Sequence, residues 1–270
     1  MVGCHAAMIN TMHGLSHIEA DKLHFLAIIP VMGDAVRPAF WRIGEKRLLD
    51  MATENAYDVD QIEQIIVVSD KPGIFENTQK LPRTLLIESS SPKPLSDCPY
   101  PEQLPFVVKV IDRLCRISGK DPCCEGLIIL DPLCPLRKSS HITKAMQIYA
   151  SQSKVERPWQ RVASFSLLPN HFHPKKILKH TGYGDLEYFD LSGQQVYRRQ
   201  QIEGDNYYYI NSAIYILDPM RVHRTLTENN EILGLIIDEP IVTVKERHHL
   251  EFARALHDHN KRDRFHVDDC

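Results

Sequence analysis

No charge of one sign dominates this chain of 270 residues: 32 Lys and Arg stand against 35 Asp and Glu, a formal net charge of -3. A balance of this kind offers no matching field to a polyanion or an anionic bilayer, so neither nucleic acid nor membrane is expected as a partner. Long apolar runs are also missing; none approaches the roughly 20 residues that cross a bilayer. Cysteine is sparse and unpaired in pattern. The seven residues Cys4, Cys98, Cys115, Cys123, Cys124, Cys134 and Cys270 are odd in number, have no CxxC spacing and include a vicinal pair. That reads as reduced thiols in a cytoplasm. Residues 1–22 have neither a basic n-region nor a continuous apolar h-region and are read as a loosely ordered extension, not a signal peptide. There is no internal repeat, no low-complexity tract and no Pro/Gly linker long enough to divide the chain. One domain over 23–260, with a polar tail over 261–270, is the economical division.

What is present is a series of short apolar runs bounded by turn residues, at 25–32, 64–70, 84–88, 126–131 and 161–168. Strands buried on both faces, as in a parallel sheet, read this way. Segments with helical spacing fall between them, at 44–57, 101–117 and 139–153. Strand and helix alternate, so the class is α/β. The pattern then changes. Residues 186–197 alternate about Leu191-Ser-Gly-Gln, which predicts a hairpin within an arm over about 170–210. A long β-rich run follows at 207–217, then a short helix near 220–227, a strand-like stretch at 234–244 and a closing helix over 245–260.

Four segments, in order, resemble the sugar-acid cytidylyltransferases, the family of CMP-sialic acid synthetases and their pseudaminic and legionaminic acid relatives. Ala27-Ile-Ile-Pro30 with Gly33 is similar to the family's opening strand and loop, and Ile66-Val-Val-Ser-Asp70 to its Ser-Thr-Asp strand end. Leu130-Asp-Pro-Leu-Cys-Pro-Leu-Arg137 resembles Leu-Gln-Pro-Thr-Ser-Pro-Leu-Arg, and Tyr209-Ile-Asn-Ser-Ala-Ile-Tyr-Ile216 resembles the Asn-Gly-Ala-Ile-Tyr strand. The resemblance spans about residues 24–257. It implies a nucleotidyltransferase-type, Rossmann-like three-layer α/β/α fold with a mixed sheet and a protruding β arm, usually paired as a homodimer whose arms reach the neighbouring site. It also implies a reaction in which the hydroxyl of a nonulosonic sugar acid attacks the α-phosphorus of CTP and releases pyrophosphate. Such a transfer needs cations, N–H donors and a metal more than covalent help.

On the acid-sugar side the resemblance assigns Arg137, Lys176, Arg199, Asn211 and Tyr215. Lys176 lies in His173-Pro-Lys-Lys-Ile-Leu178, and Arg199 in Arg198-Arg-Gln-Gln201 offers a guanidinium suited to bidentate capture of a carboxylate. Taken singly, Lys176 and Arg199 also fit surface cations, and Tyr215 a core aromatic. On the nucleotide side it assigns Met32, Gly33, Arg37 and Asp131. There the chain departs from the family, whose first loop reads Ala-Arg-Gly-Gly-Ser-Lys. The corresponding residues here are Val31, Met32, Gly33, Asp34, Ala35 and Val36, almost empty of positive charge. Arg37, Arg42, Lys46 and Arg47 follow, either reaching inwards or solvated at the ends of a loop and helix. The base-contacting arginine aligns with Ser91, and Asp131 replaces a glutamine. Mg²⁺ is expected from the family, but its closing Asp-x-Asp aligns with Thr243-Val-Lys245, and a lysine opposes a divalent ion.

Each lost charge-stabilising group typically removes roughly 2.7–4 kcal/mol of transition-state stabilisation. Two readings therefore stand: a cytidylyltransferase working through a rearranged loop, and a member impaired in catalysis that binds a sugar acid or a partner subunit. A transferase using another nucleotide is a third. The pairs His171-Phe-His173 and His257-Asp-His259 have metal-like spacing without a third ligand, and Cys134 holds a family serine position that is not a nucleophile.

Overall fold

The computed structural model describes residues 24–71, 73–76, 81–88, 124–152, 161–182, 184–189, 206–219 and 232–267. The expected helices at 101–117 and 220–227 lie outside these residues. The apolar runs form strands β1 (Phe25–Val31), β4 (Ile62–Ser69), β5 (Thr84–Glu88), β6 (Gly126–Leu130) and β7 (Arg161–Leu167), close to their expected limits. β10 (Tyr208–Leu217) and β11 (Leu233–Ile236) complete a seven-stranded sheet of order β11-β7-β10-β6-β1-β4-β5. β1 pairs in parallel with β4 and β6, and β10 runs antiparallel to β6 and β7, so the sheet is mixed.

Alternation along the strands divides the core. Ala27, Ile29 and Val31 of β1 and Ile128 and Leu130 of β6 join one cluster. Leu48, Leu49, Ala52 and Ala56 of helix α2 (Leu48–Tyr57), Ile142, Ala145 and Met146 of α4 (Ser139–Gln152), and Leu250 and Ala253 of α5 (Arg247–Val267) cover it. Leu26, Ile28, Ile66, Val68, Leu127 and Ile129 project into a second cluster on the opposite face. Two single-turn helices, α1 (Val36–Ala39) and α3 (Gly73–Glu76), follow β1 and β4. No described helix is long and apolar enough to cross a membrane.

Three local expectations change, and one hairpin is new. Helix α2 begins at Leu48, not 44, because residues 42–47 fold back as a ribbon of β2 (Arg42–Ile43) and β3 (Lys46–Arg47) about Gly44, whose φ of 59° suits glycine. Asp50 then ties the first turn of α2, accepting from the Arg47 amide at 3.3 Å and its guanidinium at 2.7 and 3.0 Å. Within the arm, β8 (Leu178–His180) pairs with β9 (Leu186–Tyr188) across 181–185, where Gly182 and Gly184 have φ of 92°, while the turn expected at 191–194 lies outside the described residues. Residues 190–205 lie outside the described part. β11 stops at Ile236; beyond it Pro240 has no amide to extend a ladder, and Ile237 N–H donates to Phe165 O at 2.9 Å. Helix α5 continues through 261–267, where a polar tail was expected.

Gly126 is fixed by close approach, since a Cβ there would stand 2.5 and 2.7 Å from the Phe25 ring, itself edge-on to Tyr149 at 5.9 Å. Gly126→Ala should destabilise the protein by about 1–3 kcal/mol, the usual cost of overpacking, read as a lower urea midpoint at unchanged slope. An unchanged midpoint would contradict the packing described.

Candidate functional site

The sheet opens where its strand order reverses. β1 pairs with β6 only as far as Ile28 and Ile129, but with β4 as far as Val31 and Ser69. Pro30, which has no amide to donate, lies past the last β6 partner. In open α/β sheets the crevice at the carboxyl ends of such strands is where ligands bind. Ser69 Oγ donates to Val31 O at 2.7 Å and accepts from Lys71 N–H at 3.1 Å, locking the ends of β1 and β4 together.

A cleft of about 560 Å³ opens there. Its wall is made by Gly33, Asp34, Val36, Arg37, Pro38 and Trp41 from the segment after β1, Lys71 from the end of β4, and Lys245, Glu246 and Arg247 at the start of α5. Four cations thus face two carboxylates, and among the described residues no ion pair takes up Arg37, Lys71 or Lys245. The Arg247 guanidinium lies over Trp41, 4.7 Å from the ring centroid. Gly33 has φ of 54° and opens a short 3₁₀ turn. The N-terminal amides of the 21-residue helix α5 add positive potential at the cleft's far wall. An anion with several negative oxygens suits this lining.

Beside the cleft, the turn after β6 packs on a bulge of β10. Ser212 adopts φ of 60°, and the pairing of β10 with β7 slips between Ile210 and Tyr215. Asn211 fills the bulge: its Oδ1 accepts from Ser164 Oγ and from Ala213 N–H at 3.1 Å, while Nδ2 donates to Ser166 Oγ at 2.9 Å. Arg137 is 2% exposed and staples the two segments, one Nη donating to Asp131 O at 2.9 Å and Ala213 O at 2.8 Å. Its Nε and other Nη have no partner among the described residues. Asp131 Oδ1 accepts from Leu133 N–H at 2.8 Å. Burial raises its carboxyl pKa, against the pull of that amide, Arg137 and Lys245. Cys134 is pushed up to about 12 by burial and by Asp131, and its Sγ lies 3.5 Å from Thr243 Oγ1. It is a thiol at neutral pH, consistent with a packing role.

Of the nucleotide-side residues, Gly33 and Arg37 line the cleft, but Met32 does not. It is fully buried in the second core cluster, because the chain enters the turn only after it. Asp131 stands close enough to feel Lys245, though it is absent from the wall. On the sugar side, Asn211 spends its hydrogen bonds within the bulge, while Arg137 commits one Nη to the backbone and keeps its Nε and other Nη without a partner among the described residues. Tyr215 is 9% exposed against the second cluster, its pKa raised by burial. Lys176 is exposed in the arm's 3₁₀ turn and lines neither described cleft. Arg199 and Ser91 lie outside the described residues. Of the other cations near the first loop, Arg42 binds Glu45 O, Lys46 pairs with Glu54 at 2.5 Å and Arg47 with Asp50.

Lys71 and Arg247 were not singled out from sequence. Their signal is positional: one directly follows the end of a parallel strand, the other opens the last helix. A second cleft, about 590 Å³, lies between α2, the 135–138 turn and the middle of α5. Its Lys46 is already neutralised by Glu54, and Lys138 by Glu239 at 2.9 Å.

The donor set does not fit Mg²⁺. Thr243 is turned towards Cys134 and Asn211 O, and Lys245 reaches the wall where a carboxylate would be needed. Among the described residues no three His, Cys, Asp or Glu side chains converge. His173 is buried, its Nδ1 accepting from Lys175 N–H and its ring edge-on to Tyr207.

No family model matches the chain, and no curated protein matches it. Solved structures do. CMP:2-keto-3-deoxy-manno-octonic acid synthetase complexed with CTP is similar over 88% of this chain and 99% of that one, with a TM-score of 0.59 and 12% identity. 4-Diphosphocytidyl-2C-methyl-D-erythritol synthase from Anaerococcus prevotii is similar over 87% and 96%, with a TM-score of 0.56 and 12% identity. A second structure of a 4-diphosphocytidyl-2C-methyl-D-erythritol synthase gives 0.55 at 12% identity. The chain has a nucleotidyltransferase-like α/β fold with a mixed, largely parallel sheet.

Asn211→Ala would strip the bulge of its bonds and should cost about 1–3 kcal/mol of stability, measured by denaturant unfolding; unaltered stability would return Asn211 to a ligand-facing role. With its thiol held near pKa 12, Cys134 should resist iodoacetamide at pH 8 in the folded protein and react after unfolding, as followed by peptide mass spectrometry. Modification of the native protein at the rate of a free thiol would contradict that environment.

Proposed function

We propose that the protein is a CTP-dependent cytidylyltransferase whose acceptor is an acid sugar of the nonulosonic class. The observation carrying this reading is the cation-rich cleft at the carboxyl ends of β1 and β4. It lies where an α/β sheet takes a nucleotide, in a chain that shares its fold with a synthetase solved in complex with CTP. In the proposed reaction the sugar hydroxyl oxygen bonds to the α-phosphorus and loses its proton to solvent. The bond from that phosphorus to the bridging oxygen breaks, its electron pair leaving on pyrophosphate. The chain's part is positioning and charge: Arg37, Lys71, Lys245 and Arg247 hold the triphosphate and neutralise the charge growing on the leaving group.

Lys176, on the arm, and Arg199, outside the described residues, would meet the sugar's carboxylate. The arm exposes Leu186 and Phe189, 61% and 65% accessible, an apolar surface that supports pairing with a second copy. A second reading, a member that binds without catalysis, is favoured by one observation: Thr243, turned inward, and Lys245, on the cleft wall, stand where metal-holding carboxylates would be needed.

Pyrophosphate release from CTP with a panel of nonulosonic acids decides between the two. Turnover is expected with at least one acid, with Lys71→Ala raising the KM for CTP by about tenfold through loss of one charge-assisted contact. CTP binding without turnover on any acid would establish the non-catalytic reading.

A further inference from the structure

The position that resembles a metal-binding carboxylate is here a lysine with a defined place. Val244 is fully buried, and its N–H donates to Leu133 O at 2.8 Å, pinning the approach to α5 against the turn after β6. Thr243 points inward to Cys134, so the next outward-facing side chain is Lys245, on the cleft wall with Arg37, Lys71 and Arg247. Its charge is felt by Asp131 and Cys134 on the other side, so it sits between the end of β6 and the cleft. A divalent ion brought to this spot by a polyphosphate would meet an ammonium group, with Asp34 and Glu246 the wall's two carboxylates and no group of three ligands among the described residues.

We propose that the Lys245 ammonium takes the place of the divalent cation, so that this cleft holds a di- or triphosphate without metal. An ammonium supplies one positive charge and three N–H donors, and the neighbouring Lys71, Arg37 and Arg247 supply the remainder of what a metal would neutralise. Polyphosphate complexed with Mg²⁺ carries less charge and is the poorer ligand for such a wall. The inference rests on the reading that this cleft takes a nucleotide's phosphates, and its test separates the two.

The experiment is calorimetry on the full chain with inorganic tripolyphosphate and with CTP, each in EDTA and in excess Mg²⁺. Both probes are expected to bind in EDTA, and no more weakly than with Mg²⁺. Lys245→Asp should weaken binding in EDTA by at least about tenfold, one lost charge-assisted contact, and make the remainder Mg²⁺-dependent. Lys245→Ala should show the first effect without the second. Lys245 is exposed, so circular dichroism should find both variants folded. Wild-type binding that appears only with Mg²⁺, or Lys245→Asp binding unchanged in EDTA, would overturn the proposal while leaving a cytidylyltransferase possible. Metal-free tripolyphosphate binding without CTP binding would keep the proposal and remove the cytidylyl reading. Absence of binding by either probe in either buffer would overturn both.

Discussion

Like charges repel, and the first cleft holds four positive side chains within reach of one ligand. What keeps them there is the sheet. Arg37 follows β1, Lys71 follows β4, and Lys245 and Arg247 belong to the approach to α5. Each segment is anchored by a bond that does not involve the cation. Ser69 Oγ joins the ends of β1 and β4 at 2.7 Å, and the Val244 amide holds the α5 approach to Leu133 at 2.8 Å. Solvent exposure of the four heads keeps their mutual repulsion modest. An arriving polyanion then turns that repulsion into attraction. Interactions of this exposed kind are screened within about 8–10 Å at ordinary salt, so affinity built on them falls as ionic strength rises.

The polar interior beside the cleft obeys a different balance. A buried guanidinium is costly to leave half-satisfied, yet Arg137 bonds only Asp131 O and Ala213 O among the described residues. Those two bonds join the turn after β6 to the bulge in β10, and Asn211 closes the same bulge from within. Two residues of the set that resembled a substrate-binding one, Asn211 and Arg137, therefore shape the strand that borders the site. Shape and binding compete for the same hydrogen bonds: the bulge has taken those of Asn211, while Arg137 keeps its Nε and one Nη without a partner among the described residues.

Much of the fold was legible because buried parallel strands need unbroken apolar runs, and 25–32 and 126–131 could satisfy little else; 84–88, also expected to be buried on both faces, forms β5 at the sheet edge, where only Ile87 is buried. The ribbon at 42–47 was hidden by helix-forming neighbours; a single glycine at φ of 59° decided it. The hairpin across 181–185 was passed over because Thr181-Gly-Tyr-Gly-Asp185 competes as a turn with Leu191-Ser-Gly-Gln, which lies outside the described residues. In the site, a local reading looked for cations inside the first loop and found Met32 and Asp34. Met32 belongs to the core, and three of the four cleft cations come from residues far along the chain, brought in by strand order. Charge assembled by tertiary structure leaves no local motif. Gly33 and Arg37 were legible because they do lie in the loop.

The central claim is that a nucleotide's phosphates are held by cations converging from separate segments at the mouth of β1 and β4. A crystal structure of the protein with CTP tests it most directly. The account predicts the triphosphate between Gly33 and the start of α5, with oxygens within hydrogen-bond distance of Lys71 and Lys245. A triphosphate bound instead in the cleft between α2 and the middle of α5, beside Asn55 and His257, would contradict it.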